Sequence, residues 1–487
     1  MSFAIGNRIL CLPFNPPGVV SGRSVCMLGL NRQVRKLLDE LGGLTPRDGL
    51  SADDMSLVEI LPLGMLLDEA TAADALAVRA SGRRRSQLRL DSAVLWREVT
   101  RRSGEVRALS RAASAAEEAL ELSVAHSAVW ARARCEQGFA ALLGVELFGD
   151  PGLLDAAEGA FEDALAEARR GLVAPLAEIG LLVVSGRRNL ATGDGQAARV
   201  AAARFAQPIA TLKAMSRRIR IARMLSVEGH ILRAQLLCEW GARLADAPLL
   251  RAAVRDTLSA ASGLTPDFEP LTIARIGFVR ASAQIAIGEV EEDAEICLAG
   301  VNLLDHVLSD LRLEHSPIDR AKGEFLRGRG RQVLGDISGD ALSFMHAITC
   351  FEQVAKITEK REGLVLKAQA GALKALGLAR VAEISGDVAV LNSAEKAFRS
   401  TLVNVSVARD PESWALLQLN LARLLLTRLG ITRKDRGERA GARAALSSAL
   451  DVLSERRLRG LGRSASKTLD LLEAAMQNQG DSKLTQS

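Results

Sequence analysis

Apolar and polar positions along this chain follow the period of an α-helix, and the helical stretches themselves recur. From Asn31 to Leu41 the apolar residues Val34, Leu37, Leu38 and Leu41 keep helical spacing, and Gly42 and Gly43 end the run. A second short helix is predicted from Ser51 to the residue before Pro62, with Asp53 and Asp54 near its positive end. A third covers 67–80, and Gly82-Arg83-Arg84-Arg85 reads as a basic linker. From Ser86 onwards helix follows helix with short breaks.

The order within that succession is a repeat. Ile337-Ser338-Gly339-Asp340 leads into a helix carrying Ala347 and Phe351, and the same motif returns as Ile384-Ser385-Gly386-Asp387 with Ala394 and Phe398, every position displaced by 47 residues. A third copy falls at Ile431, with Gly441 and Ala445 in the corresponding slots. A fixed offset held at several positions is the mark of a repeat architecture. Its rule is an acidic residue after a Gly, a small residue seven on and a bulky or small one four further. Extended along the chain, the rule places markers at 105, 150, 194, 246, 289, 340, 387 and 434, the last held by Lys434. Eight helix pairs follow, one helix before each marker and one after it.

Side chains at fixed heights would join the pairs. A small residue stands 19 positions before the second-helix small residue at Gly138, Ala234, Gly328, Ala375 and Ala422, which lets the two helices approach closely. The Phe one turn after that residue projects from the same face and fills the space between neighbouring pairs. Trp130 and Trp414 each lie 20 residues before their markers and read as packing residues near the start of first helices.

At these positions the chain resembles the tetratricopeptide family. The second-helix element small-x-x-x-aromatic-x-x-small is complete as Ala157, Phe161, Ala164 and nearly so as Ala347, Phe351, Val354 and Ala394, Phe398, Thr401. Ser413-Trp414 through Ala422 looks like the divergent, long-repeat bacterial members, and the likeness covers residues 86–456. The unit is longer than the family's roughly 34 residues, and the family's tyrosine and closing proline are mostly absent. Arrays of the HEAT or armadillo kind share the stacked-pair architecture. The expected fold is all-α: a right-handed α-solenoid of about eight antiparallel helix pairs.

The ends differ from the array. Residues 1–28, with Pro13, Pro16, Pro17 and several Gly, form an irregular segment whose apolar content predicts packing on the array or, as the alternative, a partner-binding strap. Short helices and a linker occupy 29–85, the array 86–456, a capping helix 457–478 and a disordered tail 479–487.

Composition agrees with helix and narrows the chemistry. Aromatic residues make up 3% of the 487 and Tyr is absent, which favours helix over sheet. Against 63 basic residues stand 58 acidic ones, an excess of +5 too small to argue for nucleic acid. The six Cys show no paired spacing, as expected in a reducing compartment. No secretory leader and no apolar run of about 20 residues is present, so a cytoplasmic location is expected.

Catalytic signatures are missing. His126, His230, His306, His315 and His346 fall in different pairs without the short spacing of helical metal sites; His126 and His315 each precede a capping Ser. Gly328-Arg329-Gly330 lacks the Lys-Ser/Thr of a phosphate loop. The clusters Arg83 to Arg85, Arg217 with Arg218, Arg220 and Arg223, and Arg456 with Arg457, Arg459 and Arg463 alternate with acidic runs and read as solvated faces. No enzyme activity, cofactor or metal is predicted.

Similarity to the tetratricopeptide family implies a groove lined by first helices that binds a partner's peptide or helix, or a scaffold of several proteins. The groove positions are Arg132, Glu136, Phe139, Lys322, Arg329, Gln369, Asn420 and Arg423; four of these are basic, which suggests an acidic segment as ligand. A nucleic-acid-binding helical repeat and a ligand-sensing regulatory domain are the alternatives, the latter requiring a concave pocket with converging ionisable groups.

Overall fold

The computed structural model describes residues 55–455 apart from 126, 169–170, 191–193, 362, 406 and 408–410. The chain divides into two compact units, 1–49 and 50–487, and the described residues all belong to the second. The irregular N-terminal segment, the helix at 31–41, the capping helix and the tail lie outside the described residues.

The fold is an all-α solenoid of antiparallel helix pairs. Two leading helices, α1 (Met55–Ile60) and α2 (Leu63–Arg79), precede eight pairs. These are α3 (Gly82–Ser103) with α4 (Val106–Glu121), α5 (Ala128–Phe148) with α6 (Leu153–Glu167), and α7 (Val173–Leu190) with α8 (Gly195–Arg204) and α9 (Ala206–Met215). Next come α10 (Arg220–Leu244) with α11 (Ala247–Ala261), α12 (Pro270–Glu291) with α13 (Ala294–Asp310), and α14 (Pro317–Ser338) with α15 (Ala341–Ile357). The last two are α16 (Val365–Ser385) with α17 (Val388–Asn404) and α18 (Pro411–Thr432) with α19 (Glu438–Glu455). Gly82 to Arg85, read from sequence as a linker, is the first turn of α3. The third pair departs from the rule because its second helix breaks at Phe205, three residues before Pro208, which has no N–H to donate.

Four of the predicted acidic markers, Asp194, Asp246, Asp340 and Asp387, are helix caps, whereas Glu105 makes no capping hydrogen bond and Asp150 accepts from the Gly152 N–H ahead of its helix. Asp194, Asp246, Asp293, Asp340 and Asp387 each accept backbone N–H groups from the first turn of a second helix, satisfying donors that the helix itself cannot. The residue just before the cap closes the first helix in the left-handed region: Gly339 and Gly386 both have φ +67°, which explains the repeated Ser-Gly-Asp. Ala245, Glu292 and Arg433 hold the same slot with φ of 51–53°. The marker expected at 289 is therefore corrected to Asp293. From Asp246 to Asp387 the caps then stand 47 residues apart, with Gly300 in the small slot and the buried Leu304 in the bulky one. In the last pair Asp435, next to Lys434, accepts from the Gly437 N–H at 3.0 Å.

The repeated aromatic residues are the core between pairs. Phe161, Phe205, Phe351 and Phe398 are all fully buried. A Cβ on Gly138 would lie 2.6 Å from the Phe161 ring, and Gly180 of the next first helix presses on the same ring from the other side. Gly328 bears on Phe351 in the same way, a Cβ there falling 2.7 Å from the ring. The Trp positions also pack: Trp130 and Trp414 are half-buried against the cores of their own regions. Ser127 and Ser316 cap α5 and α14 as their position after His predicts.

The array curls far enough to meet itself. First helix α3 touches α14, and α5 touches α16, so one turn spans five pairs. Arg101 Nη1 lies 2.6 Å from Asp319 Oδ2 across this closure, and Leu143, Leu147, Ile318 and Leu364 form a buried apolar seam beside it. Helix α1 is set into the same region. Fully buried Arg102 donates to the Leu61 and Val58 carbonyls at 2.8 Å, Glu59 accepts from the Thr272 N–H at 2.9 Å, and His315 Nε2 lies 2.9 Å from the Ile60 carbonyl.

Candidate functional site

Closure of the turn gathers the first helices around a half-open cavity. Seven first helices, α3, α5, α7, α10, α12, α14 and α16, converge on a space of about 570 Å³, within the size range of ligand pockets. Its wall is apolar at Phe139, Leu142, Leu232, Phe278, Val279 and Phe325. Five cations, Arg97, Arg101, Arg187, Arg275 and Lys322, and four carboxylates, Glu146, Glu228, Glu239 and Asp319, interrupt that surface.

Four of the cations are already matched. Arg97 Nε lies 2.9 Å from Glu136, and Arg101 bridges Asp319 at 2.6 Å and Glu98 at 2.7 Å. Arg275 grips Glu228 with both terminal nitrogens, at 2.7 and 2.8 Å, and Lys322 Nζ lies 2.5 Å from Glu146. Such charge-assisted, bidentate contacts are the strong ones. Burial alone would raise the carboxylates, but their partners prevail: Lys322 and then Arg187 hold Glu146 at about 2, and Asp319 and Glu228 are also lowered.

Arg187 and Glu239 are different. Among the described residues neither forms a hydrogen bond or an ion pair, although both line the cavity. They occupy equivalent positions, each seven residues before the cap of its pair, on the neighbouring helices α7 and α10. Glu239 is an exposed residue of the cavity wall, and desolvation by the surrounding helices pushes its carboxyl above the usual range, with Arg187 opposing and Glu146 reinforcing that shift. The neighbouring Cys238 thiol is likewise raised by burial and stays neutral.

The residues expected from sequence separate into three groups. Phe139, Lys322 and Gln369 line the cavity. Glu136 is buried just behind it, held by Arg97 and by Arg132, whose Nη2 lies 3.1 Å away. Arg329 pairs with Glu289 at 3.2 Å, while Asn420 and Arg423 stand on α18 in the eighth pair, and none of these three reaches the cavity. Sequence reasoning missed Arg101, Glu146, Arg187, Glu228, Glu239, Arg275 and Asp319. One signal was present: Glu228, Arg275, Lys322 and Gln369 succeed one another at 47-residue intervals, so a single slot of four consecutive first helices faces the cavity.

No family model matches the chain. No curated protein matches it either. Solved structures match it at low identity. A Rap protein complexed with competence and sporulation factor matches 81% of this chain and 99% of its own length, at 12% identity and a TM-score of 0.42. IFIT1 with m7Gppp-AAAA matches 93% and 92%, at 12% identity and a TM-score of 0.41. Scc4 in complex with Scc2n matches 92% and 86%, at 11% identity and a TM-score of 0.33. Among the described residues no helix is long and apolar enough to cross a membrane, and no group of three or more His, Cys, Asp or Glu could hold a metal ion.

Proposed function

We propose that this chain is a tetratricopeptide-like interaction protein without catalysis of its own, which takes a ligand of limited size into the cavity enclosed by its first helices. The observation that carries this reading is the closure of the turn through Arg101 and Asp319 and the seam at Leu143, Leu147, Ile318 and Leu364. A space of about 570 Å³ suits a small molecule or a few residues of a partner better than a long partner helix. The ligand-sensing alternative is thus favoured over the extended groove. Arg329, Asn420 and Arg423, which stand away from the cavity, serve in this reading as surface contacts for a protein partner. Nucleic acid gains nothing from the cavity, since four of its five cations already face carboxylates.

The test is to fill the cavity. Ser282→Trp places an indole where Ser282 now lines the space. The full-length protein and this variant are purified side by side, and small molecules and peptides released on denaturation are identified by mass spectrometry. A species carried by the wild type and missing from a variant of unchanged helical circular dichroism supports the cavity. The same species on both proteins refutes it.

A further inference from the structure

The cavity wall holds two opposite charges, Arg187 and Glu239, that make no hydrogen bond or ion pair among the described residues. The four remaining cations are each held by a carboxylate between 2.5 and 2.9 Å away. Arg187 and Glu239 have no such contact among the described residues, yet they act on one another electrostatically from matching heights of adjacent helices. Their side chains are thus near enough to feel each other and too far apart to touch. Glu239 is exposed and Arg187 half-buried, so both charged groups are open to a ligand that enters the cavity.

Resting on the cavity as the binding site, we propose that its ligand is a zwitterion with an apolar side chain, a free amino acid or a very short peptide, whose carboxylate pairs with Arg187 and whose ammonium group pairs with Glu239. The guanidinium suits a planar carboxylate, which it can engage through two parallel N–H donors. Glu239 offers only acceptors when ionised and so selects a donor. An ammonium brought beside it also supplies a positive charge, so ligand binding and ionisation of Glu239 reinforce each other. Leu232, Val279 and Phe325, which line the same cavity, give the side chain an apolar seat. A dicarboxylate would place its second negative charge near Glu146 and Glu239, and a phosphate would meet Arg187 as its one unmatched cation.

The experiment measures binding by isothermal titration to the full-length protein after dialysis from mild denaturant and refolding. The probes are L-leucine, L-phenylalanine, L-leucyl-L-leucine, leucinamide, which lacks the carboxylate, and 4-methylpentanoate, which lacks the ammonium group. At least one zwitterion is expected to bind about tenfold or more tightly than both single-charge analogues, the preference that one lost ionic contact of about 1.4 kcal/mol produces. Arg187→Met should erase the preference over leucinamide, and Glu239→Gln the preference over 4-methylpentanoate, each with unchanged helical circular dichroism. Whether leucine, phenylalanine or the dipeptide binds best separates a free amino acid from a short peptide. The zwitterion assignment is overturned by analogues that bind as well as the zwitterions, by no binding of any zwitterion, or by preferences that survive both substitutions. Binding that also survives Ser282→Trp removes the cavity reading itself.

Discussion

Arg101 and Asp319, 218 residues apart in sequence, meet at 2.6 Å and fasten the first helix pair to the sixth. Both are buried, Glu98 holds the other side of the guanidinium, and the Ser316 hydroxyl donates to Asp319 at 2.7 Å. Removing one partner leaves an uncompensated charge, so Asp319→Asn is expected to lower unfolding stability by about 3–5 kcal/mol in urea denaturation. Arg101→Met combined with Asp319→Leu should recover much of that loss, because an apolar pair needs no hydration. Small-angle scattering of Asp319→Asn should show a larger radius of gyration, since the closure is what holds the turn shut.

Phe161 is clamped between two glycines, Gly138 and Gly180, one from its own pair and one from the next. Gly180→Ala forces a methyl group into the ring and should cost about 1–3 kcal/mol through overpacking. Phe161→Leu on its own leaves a void. In the double variant the added methyl occupies part of that void, so the two losses should fall short of additive. Denaturation of all four proteins in a double-mutant cycle measures the difference.

Three pair junctions hold non-glycine residues in left-handed backbone at Ala245, Glu292 and Arg433. The equivalent Gly339 and Gly386 adopt that conformation without a Cβ penalty. Ala245→Gly is therefore expected to stabilise the protein by up to about 1 kcal/mol, the left-handed penalty of an L-residue less the added freedom of glycine in the unfolded chain. A raised melting temperature is the readout. By contrast, Asp340→Ala removes a cap that accepts the Leu342 and Ser343 N–H groups at 3.0 Å and should cost about 1 kcal/mol.

Glu239 and Glu146 face the same cavity and titrate in opposite directions. Burial raises Glu239, so its contribution to stability is present below the ordinary Glu value of 4.5 and lost as pH rises through its higher folded-state value. Lys322 and Arg187 keep Glu146 at about 2 despite burial, so its contribution is present above 4.5 and lost as pH falls toward 2. Glu239→Gln should accordingly raise the melting temperature at pH 7 and change it little at pH 4. Glu146→Gln should lower it at pH 7, with the difference shrinking toward pH 2. Melting curves of both variants across this range check the two signs.

The helix pairs were legible because packing repeats its demands. Phe161, Phe351 and Phe398 fill one kind of space, and Asp340 and Asp387 perform one kind of capping, so each copy announces the others. The register slipped by four residues at Glu289 because the acidic stretch Glu289 to Asp293 offers several carboxylates, and only Asp293 meets the N–H groups of α13. The closure was not legible. Contacts such as Arg101 with Asp319 depend on the small rotation between successive pairs summed over five of them, a quantity no local pattern encodes. Arg187 and Glu239 were hidden for a related reason: a charge inside an apolar helical pattern looks like a solvated face until the helices opposite it are in place.

Helix α1 brings a consequence for the order in which the molecule is made. Its seat is built from Arg102, Thr272 and His315, so residues 55–61 leave the ribosome long before two of the three groups that receive them exist. The early part of the chain can stack its pairs as they appear, yet this short helix must wait for its full seat until His315 has been synthesised. Its docking is then a late event that registers the arrival of the fifth pair and of His315, and a chain truncated before Thr272 would keep only Arg102 of the three groups that seat this helix.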